Sequence, residues 1–133
     1  ESSFRALESD AIKQVYGDLM ARTTETQEKN HILGIISCGG GTPCFNDNME
    51  WMNAHGLTVW INPSEDIILE RLLKEKKTRP LIASLSDDAL KDFIHQKLLD
   101  RKPTYEKSTS VITHHNTTID EFVNTIQHAK NLF

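Results

Sequence analysis

The sequence predicts an α/β fold, a parallel sheet flanked by helices, and two features carry that prediction. The run Ile32-Leu33-Gly34-Ile35-Ile36-Ser37 is short, aliphatic and β-branched, and it stops at Gly39-Gly40-Gly41. A parallel strand covered by helices on both faces reads this way. On either side of it helical and strand-like segments alternate, which implies parallel strands joined by right-handed crossovers. Composition agrees: with 38% of 133 residues hydrophobic and 26% charged, the chain fits one soluble domain (1–133) with one core. A net charge of −4 argues against the basic surface that nucleic acid or an anionic membrane selects. No apolar run nears the roughly 20 residues of a membrane helix. With no basic segment and apolar core at the start of the sequence either, a cytosolic location is the expectation.

The first element is a helix. From Phe4 onward Leu7, Ala11, Ile12, Val15, Leu19 and Met20 recur at helical spacing, and Arg5 and Glu8, three apart, are neighbours beside that stripe. Residues 21–31 are polar and read as a helix end and a connection. The strand over 32–36 follows. The glycines at its end allow positive φ and expose bare N–H groups to a ligand, at the sheet edge where open α/β folds bind ligands. A flexible turn before Pro43 is the competing explanation for the triplet. Cys38 and Cys44 match no metal-binding spacing and read as free thiols filling space.

Asn46 or Asp47 then caps a helix carrying Met49, Trp51 and Met52, with Glu50 in capping-box position behind Asp47 and Gly56 as the stop. Residues 57–61 form a second strand, broken at Pro63. Ser64 caps a helix whose inner face is Ile67, Ile68, Leu69, Leu72 and Leu73. Lys74, Lys76 and Lys77 complement the dipole at its C-terminal end. Because the helix must end before Pro80, Arg79 is left at the mouth of a lid-like loop, about 80–88. The next helix turns Leu90, Phe93, Ile94, Lys97 and Leu98 inward and runs into Arg101-Lys102-Pro103-Thr104-Tyr105. A third, short strand over 110–113 precedes a last helix, whose capping box is Thr118 with Glu121 and whose apolar set is Ile119, Phe122, Val123, Ile126, Ala129 and Leu132. His114-His115 is no metal pair, since adjacent strand residues point to opposite faces. Three strands make a thin sheet, so further strands in front are expected.

Four motifs stand in register along the chain: Glu1-x-x-Phe4-Arg5-x-x-Glu8, Ser37-Cys38-Gly39-Gly40-Gly41, Arg79-Pro80-Leu81, and Arg101 followed by Pro103 and Tyr105. Together they resemble the shikimate kinases, from the first residue through the last helix. The resemblance implies a P-loop nucleoside-monophosphate-kinase-like, three-layer α/β/α fold. It also implies transfer of the γ-phosphoryl of ATP, with Mg²⁺, to the 3-hydroxyl of shikimate, on the way to chorismate and the aromatic amino acids. The family is cytoplasmic and usually monomeric. Carried over by position, Arg5 and Arg101 would grip the shikimate carboxylate as guanidinium forks, and Glu8 would orient Arg5. Gly39, Gly40 and Gly41 would offer N–H groups to substrate hydroxyls and the transferring phosphate. Arg79 would close over the phosphates, where a cation stabilises developing charge, and Ser37 would contact a Mg²⁺-bound water. The plainer alternatives are that Arg101 caps its helix by bonding terminal carbonyls and that Ser37 is ordinary strand packing.

One departure bears on activity. The family's opening strand, its Gly-x-x-x-x-Gly-Lys-Ser/Thr loop and its Asp-x-Asp, which supplies the proposed base, do not occur in these 133 residues. Phosphoryl transfer is mostly positioning and charge neutralisation by such a loop, so the first two strands are expected to be missing and this polypeptide alone should release no ADP from ATP in a shikimate-dependent assay. A related kinase acting on another small acid or polyol such as gluconate, and an inactive ligand-binding remnant, are the alternatives.

Overall fold

The computed structural model describes residues 1–23, 34–113 and 118–130. They divide into two compact units, 1–48 and 49–133.

The first unit is built on α1, Ser2–Thr23. Of the predicted stripe, Ile12 is buried, whereas Phe4, Leu7, Val15 and Met20 remain exposed. These residues have no apolar surface closed over them among the described residues. The strand predicted over 32–36 is not formed in its described part. Gly34, Ile35 and Ile36 have no ladder partner, and Ile35 is 72% exposed. A parallel strand exists only beside another strand, and among the described residues none pairs with this segment; Ile32 and Leu33 lie outside the described residues. After the glycines the chain enters a single 3-10 turn, Thr42–Cys44.

In the second unit two strands, β1 (Val59–Ile61) and β2 (Ser110–Ile112), pair in parallel, with Trp60 opposite Val111. This is the arrangement that alternation predicts, although each strand is only three residues long. Helix α2, Asn48–His55, precedes β1. Between the strands run α3, Glu65–Glu75, and α4, Asp87–Tyr105. Residues 49–133 are tied together near the strands by polar contacts. Asn53 donates to the Lys107 carbonyl at 2.8 Å, and the Thr58 hydroxyl, itself bonded to Asn53, accepts the Thr109 amide at 2.8 Å. Trp60 and Tyr105 pack ring against ring at 5.5 Å.

The core of this unit is Ile82, Leu90 and Ile94, with Ile68, Leu69, Leu72, Leu85, Phe93 and Leu98 around it. Most of both predicted inner faces therefore meet, but Leu73 and Lys97 are exposed and Ile67 is not part of this core. Ile82 matters for the loop before α4: it is 4% exposed, so the segment after Arg79 is pinned into the core at its middle. Ion pairing of Lys76 with Asp87 at 2.8 Å closes the base of that loop.

Helix starts follow the sequence unevenly. Ser86 accepts the Ala89 amide at 3.2 Å, and Thr118 with Glu121 forms the reciprocal capping box at the head of α5, Ile119–Lys130. Ser64 occupies the N-cap of α3 without a side-chain bond. The capping box expected from Glu50 does not form, because its carboxylate accepts from Lys107 at 2.5 Å instead. On α5 Ile119 and Val123 are exposed, while Phe122 and Ile126 are half-buried. His114, His115 and Leu132 lie outside the described residues. Among the described residues no helix is long and apolar enough to cross a membrane.

Leu90 is fully buried at the centre of the α3–α4 core. Leu90→Ala is expected to lower unfolding stability by about 3 kcal/mol, through lost burial plus the cavity left behind, as read by equilibrium urea denaturation.

Candidate functional site

Arg5 and Glu8 lie one turn apart on α1, and helix geometry turns them to the same side. The Arg5 Nη1 donates to Glu8 Oε2 at 2.6 Å, and Nη2 donates to Glu1 Oε1 at 2.9 Å. The two carboxylates differ in setting. Glu8 is 18% exposed and Arg5 17%, whereas Glu1 is 71% exposed.

Around the guanidinium the chain supplies flat, uncharged surfaces. The Phe45 ring lies 4.3 Å from Arg5 Cζ and the Phe4 ring 5.4 Å. On another side is the bare backbone of Gly41: a Cβ there would sit 2.7 Å from Nη1 and 3.0 Å from Nη2. A side chain at 41 would thus make the Arg5 guanidinium shift. The positive φ that the triplet allows is not used, since no described glycine has one. Gly41 is right-handed at φ −84°. Gly39 plays a similar part, with a Cβ placed there 3.3 Å from Thr42 Oγ1 and 3.6 Å from Glu8 Oε1. Gly40 is exposed, and its carbonyl faces the Cys44 thiol.

The positive φ values belong to Asn46 and Asp47, both at 54°. Asn and Asp are the side chains that tolerate this region best. From that position Asn46 Nδ2 donates to the Arg5 carbonyl and to Ser9 Oγ, each at 3.0 Å. Thr42, buried to 3%, donates its hydroxyl to Glu8 Oε1 at 2.7 Å. Thr42, Phe45 and Ser9 were not singled out in the sequence, and Asn46 was read only as a candidate helix cap. Only their nearness to the glycine triplet or to Arg5 hinted at them.

These contacts fix charge states. The Glu8 carboxyl is held below its ordinary pKa, first by the Thr42 hydrogen bond and then by Arg5, against the opposing effect of burial. The Arg5 guanidinium is driven further toward its charged form by its bonds to Glu8 and Glu1. Its Nε is buried without a hydrogen-bond partner among the described residues.

The other predicted residues lie apart from this cluster in sequence and are described by themselves. Ser37 is exposed and makes no hydrogen bond among the described residues. Arg79, in the second unit, follows the 3-10 turn Lys76–Thr78 at the end of α3 and is 54% exposed; both its Nε and Nη2 donate to Glu75 Oε2, at 3.1 and 2.6 Å. Arg101 lies inside α4, half-buried, with no ion pair among the described residues. That helix continues through Pro103 to Tyr105, so Arg101 does not cap its end. Among the described residues no three His, Cys, Asp or Glu side chains converge to hold a metal ion. Ser37 adds one neutral hydroxyl, so these residues do not by themselves fit a Mg²⁺ site, and Arg79 offers ATP a single cation. Cys38 and Cys44 are free thiols.

Parallel strands with crossover helices, and a glycine turn laid against a carboxylate-paired arginine, define an α/β protein. Comparison with known proteins gives the family. The shikimate kinase family model matches residues 1–130. The shikimate kinase of Bacteroides thetaiotaomicron is 39% identical over 108 residues, which is 81% of this chain and 54% of that protein. That of Phocaeicola vulgatus is 47% identical over 74 residues, 56% of this chain and 42% of that protein. Among solved structures, the crystal structure of shikimate kinase from Bacteroides thetaiotaomicron matches with a TM-score of 0.75 and 32% identity, covering 99% of this chain and 68% of that one. The chain belongs to the shikimate kinase family, and it spans about half the length of the curated relatives it matches.

The lowered Glu8 pKa sets a pH dependence. A depressed folded-state pKa contributes stability that is present above the unfolded carboxylate value of about 4.3 and is lost as pH falls through the folded value. The stability difference between wild type and Glu8→Gln should therefore be largest near pH 6 and shrink toward pH 3 in a series of denaturation curves.

Proposed function

We propose that the protein phosphorylates shikimate on its 3-hydroxyl with ATP as donor, and that this chain supplies shikimate-binding residues. The observation that carries the reading is the pairing of Arg5. Its guanidinium is anchored on one nitrogen by a half-buried carboxylate, and on the other it holds an exposed one. An Nη group that already donates to the exposed Glu1 carboxylate presents the donors a ligand carboxylate needs, and the ligand would take Glu1's place. Shikimate carries one carboxylate and three hydroxyls. The Arg5 cation meets the first; the N–H groups of Gly39, Gly40 and Gly41 are proposed to meet hydroxyl and phosphate oxygens.

Arg101 is proposed as a second carboxylate partner and Arg79 as the cation over the phosphates, both on the strength of their motifs. Arg79 would have to leave Glu75, and an exposed pair of this kind costs little to break. Mg²⁺ is proposed to be held mainly by residues outside these 133, with Ser37 contributing through a water. The same applies to the phosphate-cradling loop and the base. A cytoplasmic, monomeric enzyme acting toward chorismate completes the reading.

The test is a coupled ADP-release assay on the full-length protein with shikimate and, separately, gluconate. Turnover with shikimate alone is expected; turnover with gluconate alone would replace the substrate. Arg5→Ala and Arg101→Ala should each raise the KM for shikimate about 10- to 100-fold, the worth of a charge-assisted hydrogen-bonded pair. Each should also abolish the thermal shift that shikimate gives the wild type. An unchanged shift in Arg101→Ala would remove that residue from the site.

A further inference from the structure

We propose that Thr42 is a positioning residue for the carboxylate grip, acting on Arg5 through Glu8 without touching the ligand. The inference rests on the reading of Arg5 as a shikimate ligand and adds the group that aims it.

An Arg–Glu pair three residues apart on a helix surface is held loosely, because both side chains are long and each carboxylate oxygen is interchangeable. Here the two oxygens of Glu8 are divided. Oε2 takes Arg5 and Oε1 takes the Thr42 hydroxyl, at 2.6 and 2.7 Å. Two fixed partners on two oxygens set the plane of the carboxylate, and with it the direction in which Arg5 Nη1 must point.

Thr42 can act as a fixed point because its own freedom is removed. Its amide donates to the Gly39 carbonyl at 3.0 Å, and its carbonyl accepts Asn48 Nδ2 at 2.8 Å. Asn48 is 2% exposed and Thr42 3%. A β-branched side chain in such a setting has little χ1 freedom. The missing side chain at Gly39 leaves room for the hydroxyl, which would lie 3.3 Å from a Cβ there. The same loop also ties down the backbone of Arg5, through Asn46 at 3.0 Å. Side chain and main chain of Arg5 are thus both referred to residues 39–48.

Thr42→Val keeps the shape and removes the hydroxyl, and Thr42→Ser keeps the hydroxyl. In the full-length protein Thr42→Val is expected to raise the KM for shikimate about tenfold, with kcat and the KM for ATP within twofold of wild type, while Thr42→Ser stays close to wild type. A residue that only supported the fold would move both KM values or thermal stability alone. In Thr42→Val the Glu8 carboxyl, followed by carbon NMR titration, should rise toward an ordinary carboxylate value. An unchanged shikimate KM in a folded Thr42→Val, or a Thr42→Ser as impaired as Thr42→Val, overturns the proposal. If Thr42→Val does not fold, Thr42→Ser against Thr42→Ala makes the same comparison. A wild type without shikimate turnover would instead refute the reading of Arg5, and the Glu8 titration would still show whether Thr42 controls that carboxylate.

Discussion

The first unit depends on keeping one guanidinium in a half-buried place. Arginine cannot shed its charge, so where water is partly excluded it must be given anions and flat surfaces. Glu8 provides the anion, Phe45 and the backbone of Gly41 the surfaces. Each of these constrains the chain further. Glu8 in turn accepts from the Thr42 hydroxyl, and the bare backbone of Gly41 leaves the guanidinium its place. Phe45 is followed by two left-handed residues, Asn46 and Asp47. Left-handed backbone at a non-glycine residue is disfavoured, and the two hydrogen bonds from Asn46 to α1 offset that.

The second unit is held in a different way. Its core is aliphatic and local, with α3 and α4 facing each other across Leu90 and Ile94. Amphipathic spacing is enough to specify such a contact, because any apolar stripe of the right period can find the other. That is why the inner faces of these helices, the parallel pairing of the short strands and the Thr118–Glu121 capping box could be read from residue order. The reading failed where an element depends on partners it does not itself encode. The segment Gly34–Ile36 has strand-like composition and no ladder, and α1 has a helical stripe that stays largely exposed. Glu50 had two possible partners, a nearby amide and a lysine 57 residues away, and composition alone gave no reason to choose the lysine.

At the candidate site the sequence revealed the charges and missed their supports. Arg5 and Glu8 were visible because their spacing puts two opposite charges on one side of a helix. Thr42 and Asn46 were not, because the hydrogen bonds that give them meaning span 34 and 41 residues. Side-chain hydroxyls and amides are common on any surface, and only folding reveals which of them meet a carboxylate or a carbonyl.

The glycine triplet shows how a correct location can rest on an incomplete reason. None of its glycines has a positive φ, so conformational freedom does not explain it. Two of its three members are instead fixed by what lies against them: the guanidinium at Gly41, the Thr42 hydroxyl and Glu8 at Gly39. Alanine at 41 would make the Arg5 guanidinium shift, and alanine at 39 would crowd the Thr42 hydroxyl by a few tenths of an ångström. The bare backbone and the oriented arginine are therefore one device. The bare backbone of Gly41 lets the cation lie close to the main chain, with Glu8 holding it there.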